Sequence, residues 1–117
     1  MCIRDRLDGG DGNDWVHGGQ DNDTVSGEAG NDAVYGGLGN DSVMGNEGAD
    51  LLDGGDGNDW VHGGQDNDTV SGEAGNDSVY GGVGNDSVMG NEGADLLDGG
   101  DGNDWVHGGQ DLSLIHI

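Results

Sequence analysis

The 117-residue sequence has almost no basic residues: it contains no lysine, and its two arginines both lie within the first six positions. Because proteins bind phosphate groups through Lys and Arg, nucleic acid and anionic lipid are poor candidate partners. Proline and phenylalanine are absent, and only 30% of the residues are hydrophobic and 4% aromatic. This composition excludes an ordinary globular core, and no apolar run is long enough to span a membrane.

Glycine and acidic residues fill the chain instead. There are 29 glycines and 25 Asp or Glu residues, and the formal net charge is −23. Glycine therefore makes up about a quarter of the chain, against roughly 7% in average proteins. Low hydrophobicity combined with high net charge is typical of disorder. An ordered structure would need a source of stability other than a large core.

The middle of the chain is one repeat inside another. Residues 9–53 and 54–98 are identical at 43 of 45 positions, and a third copy begins at Gly99 and stops after Asp111. Within each copy there is a period of nine, so that eleven complete nonapeptides follow one another from residue 9 to residue 107. Internal repeats of this kind are the sequence signature of a solenoid.

Three positions of the nonapeptide keep their character in every unit. Position one is glycine, position six is aspartate and position eight is Val or Leu. Repetition within one chain indicates a repeated structural demand, and Asp carboxylates at a constant interval are candidate ligands for hard cations. The position-six residues are Asp14, Asp23, Asp32, Asp41, Asp50, Asp59, Asp68, Asp77, Asp86, Asp95 and Asp104.

The nonapeptide divides into a turn and a strand. Positions one to six are mostly Gly, Asn and Asp, which tolerate positive φ and tight turns. Positions seven to nine alternate outward, inward and outward, as in Trp15-Val16-His17, which predicts a minimal strand. We therefore predict six turn residues and three strand residues per unit, stacked as a solenoid with a thin line of Val and Leu inside.

The pattern GGxGxDxUx, with U aliphatic, resembles the calcium-binding nonapeptide of RTX proteins over residues 7–111. This resemblance implies an all-β fold, a right-handed parallel β-roll with two nonapeptides per turn. It also implies calcium ions between successive loops on the same side, bound by the position-six aspartates and backbone carbonyls. Six residues replace glycine at positions two or four and leave the loop geometry of their units open: Asp21, Glu28, Asn46, Asp66, Glu73 and Asn91.

Calcium would also supply the stability and the positive charge that this composition lacks. Residues 7–111 carry 24 acidic side chains and no basic one, and their line of Val and Leu is too thin to offset the entropy of ordering the chain. If each ion joins one loop to the loop two units on, eleven units provide up to about nine sites. Zinc is a poor alternative because the repeats lack Cys and their histidines lie 45 residues apart.

We expect the array to fold on calcium binding outside the cell and to support a neighbouring domain of a larger secreted protein. Two alternatives remain open. The roll could itself be an adhesin or surface-layer spacer, or the chain could be a disordered acidic calcium buffer. We expect no enzyme activity, because the Ser and Thr residues have no evident base. Trp15 and Trp105 should lie on one outer face and Trp60 on the other, as surface aromatics without a continuous stripe.

The two ends differ from the middle. One coding of residues 1–6, ATG TGT ATA AGA GAC AG, has a reverse complement that reads Leu-Ser-Leu-Ile-His-Ile, which is the sequence of residues 112–117. The shared segment resembles a transposase adapter of sequencing libraries, so we interpret both ends as adapter scars outside the repeat region 7–111. In the repeat register, residues 114–116 should nevertheless pair as a last strand against residues 96–98.

Overall fold

In a computed structural model, which describes residues 6–110 and 114–116, the chain forms thirteen β-strands and, within those residues, no helix. The all-β prediction is therefore confirmed. The strands are β1 (Arg6–Asp11), β2 (Trp15–Gly19), β3 (Thr24–Ala29), β4 (Ala33–Leu38), β5 (Ser42–Glu47), β6 (Leu51–Asp56), β7 (Trp60–Gln65), β8 (Thr69–Ala74), β9 (Ser78–Val83), β10 (Ser87–Glu92), β11 (Leu96–Asp101), β12 (Trp105–His107) and β13 (Leu114–His116).

The strands form two parallel sheets that alternate along the chain. Strands with odd numbers make a seven-stranded sheet in the order β1-β3-β5-β7-β9-β11-β13, and strands with even numbers make a six-stranded sheet. Paired residues are 18 positions apart, as Val43 and Val61 are. One turn of the solenoid therefore contains two nonapeptides, as predicted, and the chain makes about six turns.

The predicted division into six turn residues and three strand residues is wrong. Strand β6 contains positions seven to nine of one unit and positions one to three of the next, so only residues 57–59 form the turn that follows. The pairing of β6 with β8 skips position one, since Asp53 pairs with Ser71 and the next recorded pair is Gly55 with Glu73. The strand bends at this point and then continues, because the position-two residue takes a positive φ.

The core is a single line of aliphatic side chains between the two sheets. The molecule is 13 Å across in its thinnest direction, which leaves room for one layer of position-eight residues. Val16 and Val106, in the outermost units, are only partly buried against this line. The fully buried members are Val25, Val34, Val43, Leu52, Val61, Val70, Val79, Val88 and Leu97.

The units that depart from the glycine pattern keep the loop conformation of the others. Their non-glycine residues have φ between 73° and 83°, in the left-handed region. A left-handed conformation costs an L-residue roughly 1–2 kcal/mol, and Asn and Asp tolerate it best. The same backbone is therefore imposed on every unit by pairing with its neighbours, and the residues that carry this cost are Asp21, Glu28, Asn46, Asp66, Glu73 and Asn91.

The described residues near the two ends continue the sheets. Arg6 begins β1 and pairs with Thr24. Residues 114–116 pair with residues 96–98 of β11, which confirms the predicted last strand. Ile115 is placed opposite Leu97 and remains 42% exposed. The interpretation of residues 1–6 and 112–117 as adapter scars stays a prediction, and most of those residues lie outside the described part of the chain.

Candidate metal centre

The position-six aspartates end the three-residue turns and face into the molecule, directly before the outward position seven. They form two rows, one on each side of the roll, because units alternate between the sheets. Asp14 and Asp104, in the outermost complete units, are half-buried. The other nine are no more than 4% exposed: Asp23, Asp32, Asp41, Asp50, Asp59, Asp68, Asp77, Asp86 and Asp95.

One oxygen of nine position-six carboxylates, those from Asp32 to Asp104, ties successive turns together. The backbone N–H of Asp41 donates to Oδ1 of Asp59 at 2.7 Å, and the N–H of Asp59 donates to Oδ1 of Asp77 at 2.8 Å. The same bond recurs at an 18-residue spacing along both rows, over nine pairs from Asp14 to Asp104. A hydrogen bond to the ionised carboxylate favours its charged form.

The second oxygen is left without a donor in most of these carboxylates. A buried polar atom that accepts no hydrogen bond is costly, and a buried anionic one especially so. It therefore marks a place where a proton or a cation is needed. Oδ2 is buried and without a hydrogen-bond partner in Asp14, Asp32, Asp41, Asp50, Asp59, Asp68, Asp77, Asp86 and Asp104.

This orphaned oxygen faces a second acceptor, the carbonyl oxygen of a position-one glycine. A Cβ added to Gly54 would meet Oδ2 of Asp59 at 2.7 Å and the carbonyl oxygen of Gly72 at 2.9 Å. Gly36 has the same surroundings, with Oδ2 of Asp41 at 2.7 Å and the carbonyl oxygen of Gly54 at 2.5 Å from that point. Two oxygen acceptors therefore lie within 3 Å of one point beside the glycine, and no donor of the protein is among these contacts.

The electrostatics of the central units agree with this geometry. Burial, the largest cause, raises the pKa of Asp59 and Asp68 to about 7, against the lowering effect of the backbone hydrogen bond. Repulsion from neighbouring aspartates raises the pKa further. The same causes raise the pKa of Asp50 and Asp77 to about 6. Without a cation, these carboxyls are therefore held closer to their protonated form than an exposed aspartate.

The donor set suits a hard cation with oxygen ligands. Calcium takes six to eight oxygens from carboxylates and backbone carbonyls, which are the two types of atom that face each other here. Within residues 6–110 and 114–116, no group of three or more His, Cys, Asp or Glu side chains is arranged to hold a metal ion. The residues present therefore fit calcium only if backbone carbonyls complete the coordination.

The position-one glycine is the functional residue that the sequence pattern alone does not assign. The pattern groups it with the turn residues that tolerate positive φ, but in the structure the positive-φ residues are those at positions two and four. Position one has no room for a side chain because Asp Oδ2 and a carbonyl oxygen occupy that space. The sequence signal for this role is that position one is glycine in every unit. Glycine is needed where φ is positive, and it is also needed where other atoms approach the backbone closely.

The comparison with protein families agrees with the repeat and the geometry. The family model of the RTX calcium-binding nonapeptide repeat, which spans four copies, matches residues 8–43, 35–70, 44–79, 53–88 and 80–111. These matches cover residues 8–111, so the chain belongs to the RTX calcium-binding nonapeptide repeat family. Its fold is accordingly a calcium-binding β-roll. A comparison with curated proteins found no match.

Proposed function

We propose that this chain is a calcium-dependent folding module, in which each calcium ion takes the place of the proton or donor that is missing at the orphaned Oδ2 atoms. The observation that carries the proposal is the pairing of a buried, unsatisfied Oδ2 with a glycine carbonyl oxygen, as at Asp59 and Gly72. Calcium would neutralise the carboxylates and supply the attraction between successive turns. Binding free energy then becomes folding free energy, because the sites do not exist in the open chain.

The proposed ligands are the eleven position-six aspartates together with backbone carbonyls of the turns. If each ion lies between one unit and the next unit of the same row, the eleven units would hold up to about nine ions. The carboxylates of Asp14 and Asp104 belong to the outermost complete units and are more exposed than the rest. We therefore expect these two units to bind calcium more weakly than the central ones.

The family supports the proposed location of this function. Proteins with this repeat are typically secreted, and no helix among the described residues is long and apolar enough to cross a membrane. We propose an extracellular role. By its resemblance to RTX proteins, the chain would be exported through a type I system. The chain would stay unfolded at low cytosolic calcium and fold at the millimolar calcium outside. A rigid roll formed at that moment could support an adjacent domain of a larger protein, and we expect no catalytic activity of its own.

Circular dichroism during a calcium titration tests the proposal, with magnesium as the matched control. We expect a change from disordered to β-rich on adding calcium and little change with magnesium. Magnesium demands a tighter octahedron and gives up its water reluctantly. A chain that is equally β-rich in excess chelator at neutral pH would contradict a calcium-dependent fold.

A second measurement separates the roll from a disordered acidic calcium buffer. Scrambling the residue order within every nonapeptide keeps charge and composition but destroys the pairing of Oδ2 with glycine carbonyls. A buffer would bind calcium as well after scrambling, whereas we expect the scrambled chain to lose both cooperative binding and the β-sheet signal. The remaining alternative, an adhesin or spacer, concerns the outer faces of the roll rather than its loops.

A further inference from the structure

The seven-stranded sheet carries a group of three rings on its outer face. Trp60 and His62 lie on β7, with ring centroids 5.6 Å apart and an angle of 16° between their planes. Tyr80, on the neighbouring strand β9, has its ring 6.1 Å from that of Trp60 and 6.2 Å from that of His62. We call these three residues the aromatic platform. Trp60 is 40% exposed, so the platform is open to solvent.

A second platform lies on the six-stranded sheet, 45 residues earlier. Trp15, His17 and Tyr35 form the same triangle, with ring centroids 5.9–6.2 Å apart. The prediction that Trp15 and Trp60 lie on different faces is thus confirmed, and the tryptophans form compact groups, not a stripe. On the six-stranded sheet, Trp105 lies five strands from Trp15, or about 24 Å at the usual strand spacing.

The surroundings of the platform formed by Trp60, His62 and Tyr80 are acidic. A groove across strands β1, β3, β5 and β7 includes His62 of the platform and the carboxylates of Asp11, Glu28 and Glu47. In β3, Oε1 of Glu28 accepts a hydrogen bond of 2.9 Å from the hydroxyl of Ser26, which holds that side chain along the strand. Among the described residues, no Lys or Arg lines this groove, so its charge is complementary to a cation.

We propose that the platform and its groove bind the guanidinium group of an arginine-rich segment of a partner protein. A cation is attracted to an aromatic face when it lies within about 6 Å of the ring centroid. Because the three centroids form a triangle with edges close to 6 Å, a point above its centre is within that range of all three rings. Guanidinium is planar, stacks on rings and pairs with carboxylates, so it can bind both the aromatic rings and the carboxylates of the groove.

The binding test uses the calcium-saturated protein, so that the roll is folded before the ligand is added. A short peptide of alternating Gly and Arg is titrated while tryptophan fluorescence is followed. The matched neutral peptide has citrulline in place of each arginine and keeps its shape. We expect the arginine peptide to bind and to quench or shift the fluorescence, and the citrulline peptide to bind at least about fivefold more weakly.

The double variant Tyr35→Ser/Tyr80→Ser removes one ring from each platform. Serine already occupies the same nonapeptide position at Ser26, so the fold should tolerate the change. We expect the affinity for the arginine peptide to fall by about fivefold. The control Met44→Ser/Met89→Ser changes the same outward position without removing a ring and should bind like the parent protein.

Four results would overturn the proposal. Equal binding by the tyrosine variant and the parent would show attraction to acidic surface alone. Equal binding of the citrulline peptide, or tighter tyrosine-dependent binding of a neutral glucan oligosaccharide, would assign the platform to another ligand class. Absence of any binding would also refute it. If the tyrosine variant does not fold with calcium, Trp60→Thr replaces it, because Thr24 and Thr69 occupy that position elsewhere.

Discussion

The backbone N–H of Asp41 donates a 2.7 Å hydrogen bond to Oδ1 of Asp59, one full turn further along the roll. This bond uses one carboxylate oxygen to hold two turns together and leaves the other facing the carbonyl oxygen of Gly72. The carboxylate of Asp59 therefore has a structural oxygen and a candidate ligand oxygen. The two roles can be separated by substitution.

Asp59→Asn should weaken the calcium response more than Asp56→Asn does. The substituted amide keeps an acceptor for the N–H of Asp41, and its NH₂ group can donate to a carbonyl, so the loss falls on calcium binding. Asp56 lies at position three with its side chain exposed. We expect the calcium midpoint of folding to rise by about twofold or more for Asp59→Asn and to change little for Asp56→Asn. Equal midpoints would mean that total charge, not site geometry, controls binding.

Gly54→Ala should be among the most damaging single changes in the array. The new Cβ would lie within 3 Å of both Asp59 Oδ2 and the Gly72 carbonyl oxygen, and a backbone carbonyl cannot move aside cheaply. We expect a loss of about 3 kcal/mol in the free energy of unfolding with calcium, measured by urea denaturation. Gly10→Ala is the control, because a Cβ there meets nothing within 4 Å. It should cost only the roughly 1–2 kcal/mol of its left-handed φ, and equal losses would refute the crowding argument.

In the absence of calcium, acid should favour the roll. Burial raises the pKa of Asp59 and Asp68 to about 7 in the folded chain, against an ordinary value of 3.8. A carboxyl with a raised folded pKa contributes stability that is fully present below about pH 4 and is lost as the pH rises through about 7. Circular dichroism in chelator should therefore show more β structure near pH 4 than near pH 7.5. A chain whose chelated spectrum is independent of pH would contradict these burial effects.

Ala49→Asn should stabilise the roll by completing a ladder of asparagines. At position five, Oδ1 of Asn31 accepts from the N–H of Ala49 at 2.9 Å, but Ala49 has no side-chain acceptor to offer Asn67. The added bond should raise the free energy of unfolding by about 1 kcal/mol. Asn58→Ala makes the opposite change in the other row, where Oδ1 of Asn58 accepts from the N–H of Asn76. It should cost a similar amount, and thermal unfolding with saturating calcium measures both.

Deletion of residues 112–117 should change the calcium response little. Strand β13 adds three paired residues at the edge of the seven-stranded sheet, and Ile115, opposite Leu97, remains 42% exposed. The eleven complete units remain intact in the shortened chain. A large loss of calcium-dependent folding would show that this apolar segment caps the roll, and it would count against the interpretation as an adapter scar.

From the sequence we could predict the repeat, the inward line of Val and Leu, the two rows of aspartates and the separation of Trp15 from Trp60. The rows and faces follow from the period of nine together with the two units per turn that the family resemblance implies, because these assign every residue a row and a face. Even the pairing of residues 114–116 followed from this register. The features that depend on contact with the next turn of the chain could be seen only in the tertiary structure.

Contact between turns extends strands β3 to β11 to six residues, since positions one to three find partners only when an adjacent turn is present. It also imposes a positive φ on Glu28 and Glu73, against their local preference. The role of the position-one glycine could not be predicted from the sequence for the same reason. The atoms that crowd Gly54 include one from its own unit, at Asp59, and one from two units on, at Gly72. Likewise Tyr80 joins Trp60 and His62 only because residues 18 apart become neighbours when the roll closes.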